Sequence, residues 1–197
     1  SHWVGGMGVL VFAMAVLPMT DGRAMHLMRA EVPGPTCGKL SSKLSDSAKI
    51  LYGIYFAMTA LEVVFLCAGG MSLYESLIHS FGTAGTGGFS NRALSIGAYH
   101  SPYFEWVIGI FMLLFGVNFN LYYFILMRHF REAFGSEELR AYLGIVLFST
   151  VTIAANILSI AGSVGEAVRT AFFQVSSIIT TTGYATADFN LWPTYSR

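Results

Sequence analysis

Ser177-Ile178-Ile179-Thr180-Thr181-Thr182-Gly183-Tyr184-Ala185-Thr186-Ala187-Asp188 is the stretch on which the fold turns. It is a run of hydroxyl side chains closing on Gly-Tyr, directly after an apolar segment, Val168 to Val175, that is too short to cross a bilayer. The combination predicts a re-entrant hairpin. Ninety-five residues earlier the chain repeats it as Leu77-Ile78-His79-Ser80-Phe81-Gly82-Thr83-Ala84-Gly85-Thr86-Gly87-Gly88-Phe89-Ser90. Gly88 then falls on Gly183, Phe89 on Tyr184, Thr86 on Thr181, and Gly70 on Gly165 at the start of each short segment.

A backbone that bends sharply while aiming its carbonyls at one axis needs glycine, which takes positive φ without a Cβ clash. Rings of such carbonyls replace the hydration shell of an alkali cation, as in the Thr-Val-Gly-Tyr-Gly filters of potassium channels, of which Thr-Thr-Gly-Tyr is a looser version. Irregular backbone is tolerated at membrane depth only where protein buries it or where it lines a water-filled cavity, so a duplicated hairpin implies a pore.

Composition agrees: 54% of residues are apolar and 11% charged, against about 25% charged in soluble domains. Eleven basic and eleven acidic residues balance, leaving no nucleic-acid footprint. The two cysteines, Cys37 and Cys67, suggest no disulfide framework. The opening Ser1-His2-Trp3-Val4-Gly5-Gly6 is not a signal peptide, and both ends read as cuts through a longer protein.

Four uncharged or nearly uncharged runs are long enough to span: Trp3 to Thr20, Ile50 to Leu73, Trp106 to Met127 and Ala141 to Gly165. Gly5, Gly6 and Gly8 would let a neighbouring backbone approach the first, and Ser45-Asp46-Ser47 would cap the second. Eight of the eleven Lys and Arg residues lie in the connections 20–49 and 128–140. By the positive-inside rule these are cytoplasmic, so both glycine-rich loops open outwards. The expected fold class is an all-α membrane protein of helix, pore-helix, filter-loop, helix repeats around a central cation pore. Residues 1–49 hold an inner helix and a cytoplasmic loop, 50–130 a complete repeat, and 131–197 a repeat that stops after its filter loop.

The motifs Trp3-Val4-Gly5-Gly6-Met7-Gly8 with Leu17-Pro18, Arg29-Ala30-Glu31-Val32-Pro33-Gly34-Pro35, Gly85-Thr86-Gly87-Gly88-Phe89-Ser90, Gly116-Val117-Asn118-Phe119-Asn120 and Thr181-Thr182-Gly183-Tyr184 together resemble the ion-conducting subunits of the Trk/Ktr/HKT superfamily of potassium transporters, TrkH type. The resemblance covers essentially the whole chain. It implies four pseudo-repeats around one pore, of which this chain holds parts of the first three, and potassium uptake across the bacterial inner membrane. It also implies a homodimer in lipid and a cytosolic nucleotide-binding regulatory subunit of the TrkA type.

The filter residues expected on this reading are Gly85, Thr86, Gly87, Gly88 and Phe89 in the first loop and Thr180, Thr181, Thr182, Gly183 and Tyr184 in the second. Potassium would be held mainly by carbonyls at Thr86, Gly87, Gly88, Thr181, Thr182 and Gly183, with the Thr86 and Thr181 hydroxyls as further ligands at the inner edge. Phe89 and Tyr184 are expected to pack behind the loops. His79 and Gln174, at matching positions, could hydrogen-bond the loops from behind or simply pack. Glu62, alone in mid-span, reads as a carboxyl hydrogen-bonded between helices, the alternative being a place on the ion path. Asn118 and Asn120 have the same two readings. Asp188 could draw cations to the entrance, and Trp106, Tyr122, Tyr123 and Trp192 read as interfacial anchors.

Other functions compete. A broader sodium and potassium pore is one, and a piece inactive by itself is another. Glu75 and His79, spaced i, i+4, could be metal ligands of a membrane enzyme, but the zinc signature needs a Glu beside the first His and a third ligand. The Gly82 to Gly88 run lacks the Lys-Ser/Thr of a phosphate-binding loop. No catalysis and no organic cofactor are expected.

Overall fold

The computed structural model describes residues 2–7, 44–187 and 192–193, without the side chains of 44–48. The rest of the first apolar run, the Arg29 to Pro35 motif, Cys37 and Asp188 lie outside the described residues. Those described form eight α-helices and one 3₁₀ turn, with no strand among them. They are α1 (His2–Gly6), α2 (Leu44–Ala68), α3 (Leu73–Ala84), the 3₁₀ turn Ser95–Tyr99, α4 (Pro102–Gly116), α5 (Phe119–Leu126), α6 (Phe130–Phe134), α7 (Glu137–Ile157) and α8 (Val164–Ile179).

Lys49–Ala68 and Glu137–Ile157 are long and apolar enough to cross a membrane. Their outward faces are apolar, with Phe56, Leu61 and Val64 on α2 and Leu147, Phe148 and Val151 on α7 exposed. The third expected span is broken, since α4 and α5 meet at 90° across Val117 and Asn118. Composition alone runs smoothly through that point. The backbone leaves the helix at Val117, whose φ of −77° and ψ of 143° are extended, and the Asn118 side chain caps the next helix by accepting from the Asn120 N–H. Helix α2 already runs at Leu44, so Ser45-Asp46-Ser47 lies within its first turn and not ahead of it.

Two short helices descend beside these spans. Each starts on a serine whose hydroxyl takes the N–H of a glutamate three residues on: Ser72 with Glu75 at 3.3 Å, and Ser163 with Glu166 at 3.2 Å. These starts correct one expectation. The loops match at an offset of ninety-five residues, but the two serines are ninety-one apart, so α8 is one turn longer than α3 and Gly165 falls inside it. Gly70, at φ +96°, turns the chain before α3.

Each short helix is tied by an ion pair. Glu75 of α3 accepts from Arg92, beyond the first loop, at 2.6 Å, and Arg169 of α8 donates to Glu105 of α4 at 2.8 Å. Three buried clusters fill the interior. Met7, Tyr55, Ala84, Phe115 and Phe119 join α1 to α5, Ile108, Met112, Phe173 and Tyr184 join α4 to α8, and Ala154, Ala171 and Trp192 join α7 to α8. In hydrocarbon the gain comes from close packing and satisfied hydrogen bonds more than from leaving water. Gly6 serves that packing, because a Cβ there would sit 2.9 Å from the Ala84 carbonyl oxygen, whereas Gly5 has nothing near it. Of the aromatic residues read as anchors, Trp106 is exposed while stacking on Phe172 at 4.9 Å, Tyr122 and Tyr123 are half-buried with the Tyr122 hydroxyl on the Leu114 carbonyl, and Trp192 is buried.

Candidate functional site

The two glycine-rich loops have the same backbone, bond for bond. In the first, Gly85 N–H donates to Phe81 O, Thr86 to Thr83 O, and Gly87 and Gly88 both to Gly82 O, at 3.0, 3.1, 2.7 and 3.4 Å. In the second, Thr180 donates to Ser176 O, Thr181 to Ile178 O, and Thr182 and Gly183 both to Ser177 O, at 3.2, 3.0, 2.9 and 3.3 Å. Every donor and acceptor is displaced by ninety-five residues. Thr86 and Thr181 have φ of 52° and 56°, and Gly88 and Gly183 of 60° and 87°. A β-branched residue at positive φ is an outlier, and such strain survives only where the surroundings impose it. Two threonines strained alike, one per loop, mark a geometry the fold enforces.

The loops meet. A Cβ on Gly88 would overlap the Thr182 carbonyl oxygen and lie 3.0 Å from the Gly183 carbonyl carbon. Helices α3 and α8 both end where the loops begin, and their carbonyl ends carry the negative end of the helix dipole, which favours a cation. On the second loop Thr181 and Gly183 are exposed while Thr180 and Thr182 are buried; on the first, Thr86, Gly87 and Gly88 are half-buried.

Tyr184 crosses between the loops. Its ring is 1% exposed, and its hydroxyl donates to His79 O at 2.9 Å and, more weakly, to Phe89 O at 3.3 Å. Its own carbonyl accepts from the Ser177 hydroxyl at 2.7 Å. This is the packing expected of Tyr184. Phe89 differs: its carbonyl is turned to the Tyr184 phenol, and its ring, 61% exposed, stands edge-on to His2 instead of behind the loop. The phenol fits only because residue 82 lacks a side chain, since a Cβ there would strike it. Gly82 and Ser177 share a position in the duplication, and neither role was read from the sequence. The available signal was that a glycine faces a serine at equivalent places.

His79 holds the segment beyond the first loop. Its Nδ1–H donates to Glu75 O at 2.7 Å, which leaves Nε2 to accept from the Ser90 hydroxyl at 3.0 Å. Ser90 in turn accepts from the Arg92 N–H at 3.1 Å. Glu75 is occupied by Arg92 and Asn91, so Glu75 and His79 face different partners and do not converge as a metal pair. Gln174, the counterpart of His79, is buried with its Nε2 unpartnered among the described residues.

Glu62 departs from expectation. It is fully buried in α2, yet neither carboxylate oxygen has a hydrogen-bond partner among the described residues. Thr83 lies beside it, but the Thr83 hydroxyl donates to His79 O at 2.8 Å. Asn118 follows its interhelical reading, donating from Nδ2 to Glu138 at 3.2 Å. Asn120 is buried beside it in the first turn of α5.

Comparison with known proteins places this arrangement. The TrkH family model, described as a cation transport protein, matches residues 1–161. The chain is 36% identical over 98% of its length to the Trk system potassium uptake protein TrkH of Escherichia coli (strain K12), of which it covers 41%. It is 33% identical over 99% of its length to the Trk system potassium uptake protein TrkG of the same strain, covering 41% of that protein. The crystal structure of the potassium transporter TrkH from Vibrio parahaemolyticus superposes with a TM-score of 0.79 at 28% identity, over 99% of this chain and 40% of that one. The chain thus spans about two-fifths of the length of these relatives.

Proposed function

The chain belongs to the TrkH family of cation transport proteins, and on that premise we propose that it forms part of a potassium-uptake pore in the bacterial inner membrane. The relatives are named potassium uptake proteins. What carries the reading is the pair of loops with one backbone path, repeated after ninety-five residues and meeting at Gly88 and Thr182. Their carbonyls at Thr86, Gly87, Gly88, Thr181, Thr182 and Gly183 dress a dehydrated potassium ion, and the Thr86 and Thr181 hydroxyls assist at the inner edge. Tyr184 braces the first loop through its phenol, and Phe89 takes part through its backbone carbonyl alone.

In this proposal residues 50–130 form one whole pore repeat, residues 131–197 another up to its filter loop, and residues 1–49 the inner helix and cytoplasmic connection before them. The loops open outwards, and the basic connections face the cytosol, where a nucleotide-binding subunit of the TrkA type controls a homodimer. The test is growth on low potassium by cells whose only uptake protein is the full-length transporter. Gly88→Ser and Gly183→Ser each abolish growth or admit sodium. Undiminished, potassium-selective uptake in both variants overturns the filter assignment, and equal sodium and potassium uptake by the unaltered protein replaces it with a general monovalent cation pore.

A further inference from the structure

The break between α4 and α5 lies against the second loop. Ending a helix in mid-membrane frees carbonyls that must find donors, and two tyrosines provide them. Tyr142, from α7, donates to Leu113 O at 3.2 Å, and Tyr122, from α5, donates to Leu114 O at 2.6 Å. At the last residue of α4, a Cβ on Gly116 would lie 2.6 Å from the Tyr142 hydroxyl oxygen and 3.0 Å from the Thr180 methyl. The methyl of Thr180 therefore rests on the broken helix. Its hydroxyl donates to Ser176 O at 2.7 Å, so the 2.8 Å contact between the Thr180 and Thr182 hydroxyls has Thr182 as donor. Thr182 is the residue whose carbonyl meets Gly88.

A continuous line of contacts thus runs from Tyr142 through Gly116 and Thr180 to Thr182. We propose that Gly116 and Tyr142 are positioning residues for the second loop: the broken helix, held by the Tyr142 hydroxyl, seats Thr180 and thereby sets where Thr182 presents its carbonyl. Ion selectivity then depends on two residues outside either loop, one of them on the outer helix of the following repeat. The inference rests on the filter reading proposed above.

It is tested in the full-length protein in proteoliposomes by the ratio of rubidium to sodium uptake, with thermal unfolding measured alongside. Gly116→Ala presses on the Thr180 methyl and lowers the ratio by about tenfold or more, the change that accompanies a loss of roughly 1.4 kcal/mol in discrimination. Thr180→Ser removes that methyl but leaves the Tyr142 hydroxyl 2.6 Å from the new Cβ, so Gly116→Ala/Thr180→Ser recovers part of the ratio lost in Gly116→Ala. Tyr142→Phe keeps the ring and deletes the hydroxyl; it lowers the ratio while the protein stays folded, and it carries the test should Gly116→Ala fail to accumulate. A ratio unchanged in Tyr142→Phe, or a Gly116→Ala defect that Thr180→Ser does not relieve, overturns the inference. If that happens while Gly183→Ser still destroys selectivity, the filter reading stands; if Gly183→Ser is also without effect, the filter reading itself has failed.

Discussion

Alanine at Gly88 and at Gly183 separates two costs that the duplication presents as one. Both glycines have positive φ, 60° and 87°, and an L residue held there costs roughly 1–2 kcal/mol. At Gly183 no heavy atom lies within 4 Å of where a Cβ would stand, so the backbone cost is the whole cost. At Gly88 the Cβ would overlap the Thr182 carbonyl oxygen and lie 3.1 Å from its carbon. These are backbone atoms, not the end of a flexible side chain, so the second loop must move away from the first. Gly183→Ala therefore keeps rubidium uptake and loses at most about thirtyfold in rubidium over sodium, the equivalent of roughly 2 kcal/mol. Gly88→Ala abolishes selective uptake. Tracer uptake into proteoliposomes by the full-length protein, with thermal unfolding in detergent as the control for folding, reads both. Equal losses in the two variants, or selective uptake retained by Gly88→Ala, would refute the claim that the loops touch at Gly88.

Tyr184→Phe keeps the buried ring and removes the donor to His79 and Phe89, and it is expected to cost about 1–2 kcal/mol in stability, read as a lower melting temperature, together with a lower rubidium-to-sodium ratio. Arg169→Gln strands a carboxylate that is 12% exposed, so it costs about 1–3 kcal/mol. Arg92→Gln leaves Glu75, 13% exposed, with the Asn91 amide and the Ser72 hydroxyl still donating to it, and removes a cation that is itself 52% exposed, so it costs less; a larger effect at Arg92 than at Arg169 would reverse the ranking. Glu62→Met replaces a buried carboxyl that has no hydrogen-bond partner among the described residues and raises stability by about 1–3 kcal/mol. A fall in melting temperature would instead mean that a donor reaches the carboxyl.

The duplication could be read from residues 77–90 and 177–188 because a filter-like turn is a local device: glycine and threonine at fixed spacing determine its hydrogen bonds. The short helix starts carry an equally local signal that was not read, for Ser72-x-x-Glu75 and Ser163-x-x-Glu166 both spell the capping pattern. Matching Gly70 to Gly165 concealed it by carrying the loop register back through a helix that is one turn longer. The break after Gly116 was hidden for another reason. Apolarity reports depth in the membrane and not direction, and only Asn118, as a helix cap, gave notice of a turn. Tyr184 reaching His79, Thr180 resting on Gly116 and the burial of Glu62 depend on elements far apart in the chain, which periodicity does not encode.

The bond from the Tyr184 phenol to Phe89 O spans 95 positions, and that distance bears on how the molecule is made. When the first hairpin leaves the ribosome and enters the bilayer, the tyrosine that will brace it has not been translated. At roughly 5–20 residues per second the delay is about 5–19 seconds. During that interval Gly82 faces an unfilled niche, so the earlier loop is completed only on arrival of the later one, and a chain arrested between the two would leave it unbraced in the membrane.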